Sequence, residues 1–105
     1  MLEKTLADAG YHVLSASGGR AAIEVFEQSR ITIDLLLVDV IMPDLTGPVV
    51  AERLRAMRPE LKVLFISGFH DADLVQRFVA LKGFTLLPKP FRRDALLRTV
   101  QEKLA

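Results

Sequence analysis

Three residues able to do chemistry together each close a short apolar run. Asp39 follows Leu35–Val38, Ser67 ends the run Leu61–Ser67, and Lys89 stands just beyond Phe84–Leu87 in a Pro-Lys-Pro turn. A short, unalternating apolar run bounded by turn residues reads as a strand buried on both faces, as in a parallel sheet. In an open parallel sheet the carboxyl ends of the strands share one edge, and ligands bind in the crevice there. A carboxylate, a hydroxyl and an ammonium on such an edge can hold an anionic group, with Lys89 offsetting charge and Ser67 donating a hydrogen bond. Asp39 alone of the three is a nucleophile for phosphoryl transfer, through the acyl phosphate that carboxylates form. Pro90 makes Lys89-Pro90 a candidate cis bond that would aim the lysine into the site. The bland reading is a structural ion pair beside a serine that merely ends a strand. Convergence at three successive strand ends favours the site.

The elements that must position these residues follow from the periodicity of the chain. Met1–Ala9 places Leu2, Leu6 and Ala9 on one helical face, and Gly10 supplies a left-handed helix end. Tyr11–Ala16, centred on Val13 and Leu14, is rich in strand formers and predicts a strand. Ser17 is a candidate N-cap for a helix with Ala22, Ile23 and Phe26 on its apolar stripe. Gly18 and Gly19 invite comparison with phosphate-cradling loops, but Ser-Gly-Gly lacks the full glycine spacing of one. After Asp39, Thr46 can cap a helix carrying Val50, Leu54 and Met57 on one face, and Pro59 ends it. Asp71–Leu81 predicts a helix stopped by Gly83, and Asp94–Ala105 a closing helix with Leu96, Leu97, Val100 and Leu104 in register. Strands alternating with helices imply an α/β fold: a three-layer α/β/α sandwich on a parallel sheet with right-handed crossovers.

Composition narrows the function classes. The 105 residues, 50% hydrophobic and 26% charged, suit one domain with one core. A net charge of +1 leaves no broad basic field, so nucleic acid is not an implied partner. The chain has no cysteine, which removes disulfides and thiolate metal sites and suits a reducing cytoplasm. No apolar stretch approaches the roughly 20 residues of a membrane span, and Met-Leu-Glu-Lys is neither a signal nor a transit peptide. His12 and His70 have no partner at ligand spacing and read as surface residues. Phe69, Phe78 and Phe84 read as core or interface, and Phe91 as packing the last helix onto the sheet. A haloacid-dehalogenase-like phosphatase would need a second Asp where Ile41 stands, and a nucleotide-binding domain the full glycine fingerprint.

The segments Leu35–Gly47 (LLLVDVIMPDLTG), Val63–Gly68 (VLFISG) and Leu87–Phe91 (LPKPF) resemble the signature of two-component receiver domains, the CheY-like phosphoacceptor domains of response regulators and hybrid histidine kinases. The resemblance spans nearly the whole chain, including YHVLSASGG at 11–19. The wording of 51–68 is most similar to receivers of hybrid sensor kinases. It implies a flavodoxin-like parallel sheet of nominal order 2-1-3-4-5 and a signalling module rather than an enzyme. Asp39 is then the phosphoacceptor in a phosphorelay fed by a histidine kinase, Ser67 the switch hydroxyl, and Lys89 the lysine that bridges to the phosphoryl group. Asp39 and the backbone carbonyl of Ile41 would be ligands of Mg²⁺. The alternative is a phosphorylation-incompetent receiver-like interaction module.

Residues 1–105 depart from that pattern in three places. Receivers begin with a strand ending in an acidic pair that helps hold Mg²⁺, and this chain has no counterpart of either. The expectation is an N-terminally truncated receiver whose first strand is absent from the middle of the sheet, with weak or absent Mg²⁺ binding. Two unpaired buried edges would follow, and with them self-association or a strand-swapped dimer. Leu86 occupies the position where many receivers carry an aromatic switch residue. Ile41 is apolar where some receivers position the hydrolytic water with a polar side chain. A phosphoryl group on Asp39 is therefore expected to be lost slowly, and an Ile41→Asn variant to lose it faster when decay of the label is followed.

Overall fold

The apolar runs ending at Asp39, Ser67 and Pro88 form three strands in a computed structural model of the protein, which describes residues 2–40, 42, 44–67 and 85–105, the side chain of Ser67 excepted. Among these residues the order is α1 (Leu2–Asp8), α2 (Gly19–Gln28), β1 (Leu35–Asp39), α3 (Gly47–Met57), β2 (Lys62–Ser67), β3 (Thr85–Pro88) and α4 (Arg93–Leu104). The strands lie side by side as β1-β2-β3, all parallel, with Leu37 opposite Leu64 and Ile66 opposite Leu87. The helix expected at Asp71–Leu81, together with Ile41, Phe69, His70, Phe78 and Phe84, lies outside the described residues.

Alternate residues of each strand face opposite layers. On one face Val38, Val63 and Phe65 pack with Ala51 of α3, while Val50 and Leu54 of α3 meet Ala22, Ile23 and Phe26 of α2. On the other, Leu64 packs with Leu96 and Val100 of α4, Leu2 and Leu6 of α1, and Phe91. The sandwich is thus α2 and α3, sheet, α1 and α4, and Phe91 packs as its position implied. β2 runs through the middle, with Leu64 and Phe65 completely buried. Burying a side chain of this size contributes about 1.5–3 kcal/mol, so the central strand is the one the others assemble on.

α1 ends as Gly10 predicts. The glycine takes φ 100°, the Gly10 amide donates to the Ala7 carbonyl and the Tyr11 amide to that of Leu6 at 3.1 Å. This is the paired closure of a Schellman motif, and it needs a residue without Cβ at the left-handed position.

The strand expected at Tyr11–Ala16 does not form. The segment is described without regular structure, and Leu14 is 45% exposed. Strand propensity is realised only where a neighbour completes the backbone hydrogen bonds, and the sheet of described strands stops at β1. The N-cap of α2 is Gly18 rather than Ser17, and Thr46 holds the N-cap position of α3 without a capping bond from its hydroxyl. Glycine has no side chain to cap with, so the α2 amides find their acceptor elsewhere in the chain.

The loop from β1 to α3 turns back at contact distance. The Gly47 amide donates to the Val40 carbonyl at 2.7 Å, and a Cβ on Gly47 would collide with the Asp39 carbonyl and lie 3.0 Å from the Val40 Cα. Both obstacles are backbone and cannot rotate away. Gly47→Ala is expected to lower stability by about 1–3 kcal/mol, the usual range for overpacking, read as a reduced midpoint in urea unfolding.

Candidate functional site

Because the three strands are parallel, their carboxyl ends share one edge, and the sequence-predicted residues follow them there. Asp39 closes β1, Ser67 closes β2 with its backbone in register with Pro88, and Lys89 follows β3 directly. The Lys89 ammonium donates to Asp39 Oδ2 at 3.1 Å across 50 residues of sequence. The Lys89-Pro90 bond is cis, as the sequence suggested. Asp39 and Lys89 are therefore brought together, and Ser67 stands on the same edge by its backbone.

The exposure of this pair bears on its purpose. The Lys89 and Asp39 side chains are 45% and 40% exposed, and an ion pair in that setting stabilises a fold by only about 0.2–1 kcal/mol. The pair is too solvated to be a stability device, and it leaves the Asp39 carboxylate within reach of a reactant. Leu86 is half-buried against the core of Val38, Ala51, Val63 and Phe65.

A second aspartate, not singled out from the sequence, ties this edge to α2. Asp44 accepts the amides of Gly19 at 3.1 Å and Arg20 at 3.0 Å through its two carboxylate oxygens, and that of Leu45 at 2.9 Å. An acceptor 25 residues downstream thus satisfies the first free amides of α2, where the helix dipole also favours negative charge. The double glycine serves this arrangement. A Cβ on Gly19 would meet the Leu45 Cβ at 2.8 Å and Val50 Cγ2 at 2.9 Å. Gly18-Gly19, discounted from the sequence as a phosphate-cradling loop, approaches the chain's own Asp44 carboxylate. Hydrogen bonds from the Arg20 and Gly19 amides, with lesser help from Leu45, pull the Asp44 carboxyl from its ordinary 3.8 down to about 2.

Comparison with known proteins identifies the family. The family model described as "Response regulator receiver domain" matches residues 1–101. The chain belongs to the response regulator receiver domain family. It is 35% identical over 101 residues to "Sensor kinase CckA" of Brucella abortus (strain 2308), a match covering 96% of this chain and 11% of that protein. To "Response regulator receiver protein CpdR" of the same strain it is 34% identical over 103 residues, covering 98% of this chain and 84% of that one. The crystal structure of Vibrio cholerae chemotaxis protein CheY4 superposes with a TM-score of 0.84 at 31% identity, covering 99% of this chain and 87% of that one. This receiver accordingly has the CheY-like fold. The sensor-kinase match accords with its likeness to kinase-borne receivers, although the chain spans only about a ninth of that protein. No helix among the described residues is long and apolar enough to cross a membrane.

Receivers bind Mg²⁺ at an acidic pocket, and the described donors here do not compose one. No group of three His, Cys, Asp or Glu side chains among the described residues could hold a metal ion. Asp39 already carries the Lys89 ammonium and Asp44 is committed to α2, whereas Mg²⁺ demands near-octahedral oxygen ligation.

The Asp44 bonds set a pH dependence whose sign is fixed. The carboxyl titrates lower in the folded chain than at its ordinary 3.8, so its stabilisation is complete above that value and is lost as pH falls through about 2. Asp44→Asn is expected to be less stable than wild type near neutrality and to converge on it across that window, followed by urea unfolding at stepped pH. A constant gap would show that Asp44 does not titrate on α2.

Proposed function

We propose that this receiver is a phosphoacceptor of a two-component phosphorelay, with Asp39 as the residue that takes the phosphoryl group from a histidine kinase. The reading rests above all on the Asp39–Lys89 contact of 3.1 Å at the carboxyl edge of the sheet. An Asp39 carboxylate oxygen bonds to phosphorus as the bond from phosphorus to the donor's histidine nitrogen breaks, giving an acyl phosphate. Lys89 passes from the carboxylate to an oxygen of the arriving group, which replaces one anionic partner with another. Ser67 supplies the hydroxyl that engages the phosphoryl group and carries its presence to a partner surface, and the cytoplasm is the compartment that suits this chemistry.

A second reading is favoured by the donor set. With a lysine rather than further carboxylates beside Asp39 among the described residues, the domain would act as an interaction module without accepting phosphate. Incubation with radiolabelled acetyl phosphate and Mg²⁺, and separately with an autophosphorylated histidine kinase domain, decides between them. The phosphoacceptor reading expects slow labelling, weakly dependent on Mg²⁺, that disappears in Asp39→Ala. Absence of label from both donors, or label that survives Asp39→Ala, would overturn it.

A further inference from the structure

The loop that follows Asp39 is fastened at two points. At its start the Val40 amide donates to the Ile66 carbonyl of β2 at 2.9 Å, and the Val40 carbonyl accepts the Gly47 amide at 2.7 Å, which closes the base of the loop. Farther along, the Asp44 carboxylate takes the Gly19 and Arg20 amides of α2 together with the Leu45 amide. Only residues 41–43 lie between the two fastenings, and Asp44 is the one charged residue between Asp39 and Glu52. No other side chain of that stretch can make an ionic tie.

Helix capping alone does not call for this arrangement. A helix is ordinarily capped by the side chain just before it, and α2 has Gly18 in that place with nothing to offer. Its acceptor comes instead from the loop that carries on from Asp39. Gly19 admits that loop, since a Cβ there would lie 2.8 Å from the Leu45 Cβ and 2.9 Å from Val50 Cγ2. Asp44 is exposed, so water competes for its bonds, but three amides converging on one carboxylate define its place closely.

Given the phosphoacceptor role proposed for Asp39, on which this rests, we infer that Asp44 is a positioning residue for phosphoryl transfer, acting by pinning the loop after β1 to α2. The link to Asp39 is steric. Gly47 lies against the Asp39 carbonyl with no room for a Cβ, so a loop released from α2 presses on the backbone from which the carboxylate projects. The contact of 3.1 Å between Asp39 and Lys89 shifts with it. Direct electrostatics plays no part, because the influences on the Asp44 carboxyl are backbone amides and desolvation, with neither Asp39 nor Lys89 among them. Small displacements matter at a reacting group, where a misplacement of about 1 Å can cost about a hundredfold in rate.

Variants of the full chain break the pin from either side. Asp44→Ala removes the carboxylate, and Gly19→Ala pushes Leu45 away while leaving the carboxylate in place. Asp44→Asn keeps the Oδ1 acceptor for Gly19 and Leu45 and loses the Oδ2 acceptor for Arg20. Ile33→Val trims a partly buried residue just before the opposite end of β1 and controls for lost stability. The rate of labelling from radiolabelled acetyl phosphate is expected to fall about five- to tenfold in Asp44→Ala and Gly19→Ala, about twofold in Asp44→Asn, and not at all in Ile33→Val. A second readout needs no phosphoryl donor. A water-soluble carbodiimide activates the Asp39 carboxylate, the Lys89 amine displaces it, and an amide forms as a urea leaves, followed by mass spectrometry of the joined peptides. The initial rate of this cross-link is expected to fall in the same order. Wild-type rates of labelling or of cross-linking in Asp44→Ala and Gly19→Ala, or equal slowing in Ile33→Val, would overturn the assignment. A wild-type chain that cross-links but takes no label overturns the phosphoacceptor reading, and with it the part of Asp44 in transfer, while the cross-linking order still decides whether Asp44 positions the pair.

Discussion

The parallel ladder between β1 and β2 is the constraint on which the rest depends. Its direction carries Asp39 to the edge that Ser67 and Lys89 also reach, and its register sets Asp39 opposite Ile66. Its parity commits one set of β1 backbone groups to β2 and turns the other set away from it. A slip of one residue would exchange both faces of the strand. Leu36 and Val38 would leave the α2 and α3 side for that of α1 and α4, and the carboxylate would move away from Lys89. The buried side chains of β2 that fix this register therefore hold the chemistry in place without touching it.

What the sequence made legible is what depends on local pattern plus topology. Runs buried on both faces announce themselves by lacking alternation, and parallel strands must gather their carboxyl ends on one edge. Asp39 and Lys89 could thus be placed together before any geometry was known, although 50 residues separate them. Tyr11–Ala16 shows where such reasoning ends. Its residues favour a strand, yet a strand is a property of two neighbours, and composition reports only one of them. Asp44 was hidden for a related reason. A cap normally sits beside the helix it closes, and this one comes from the loop after β1, so only the two glycines at the start of α2 hinted that something must approach closely there.

Asp44 and Gly47 together tie the residues that follow β1 back to the fold. The Gly47 amide returns to the end of β1, and the Asp44 carboxylate binds the loop to α2. These two attachments hold the chain next to Asp39, whose half-exposed side chain meets Lys89. The division of labour between the aspartates follows from their partners. Asp44 accepts backbone amides, whereas Asp39 accepts from a half-exposed lysine side chain.

Asp39 also belongs to two features at once, because its side chain and its backbone look in different directions. The carboxylate faces Lys89 at the sheet edge, while the main chain runs in register with β2 opposite Ile66. The lysine meets the carboxylate from across the sheet edge, while pairing of β1 with β2 fixes the strand beneath it, so the side chain and the main chain of Asp39 are restrained by different neighbours.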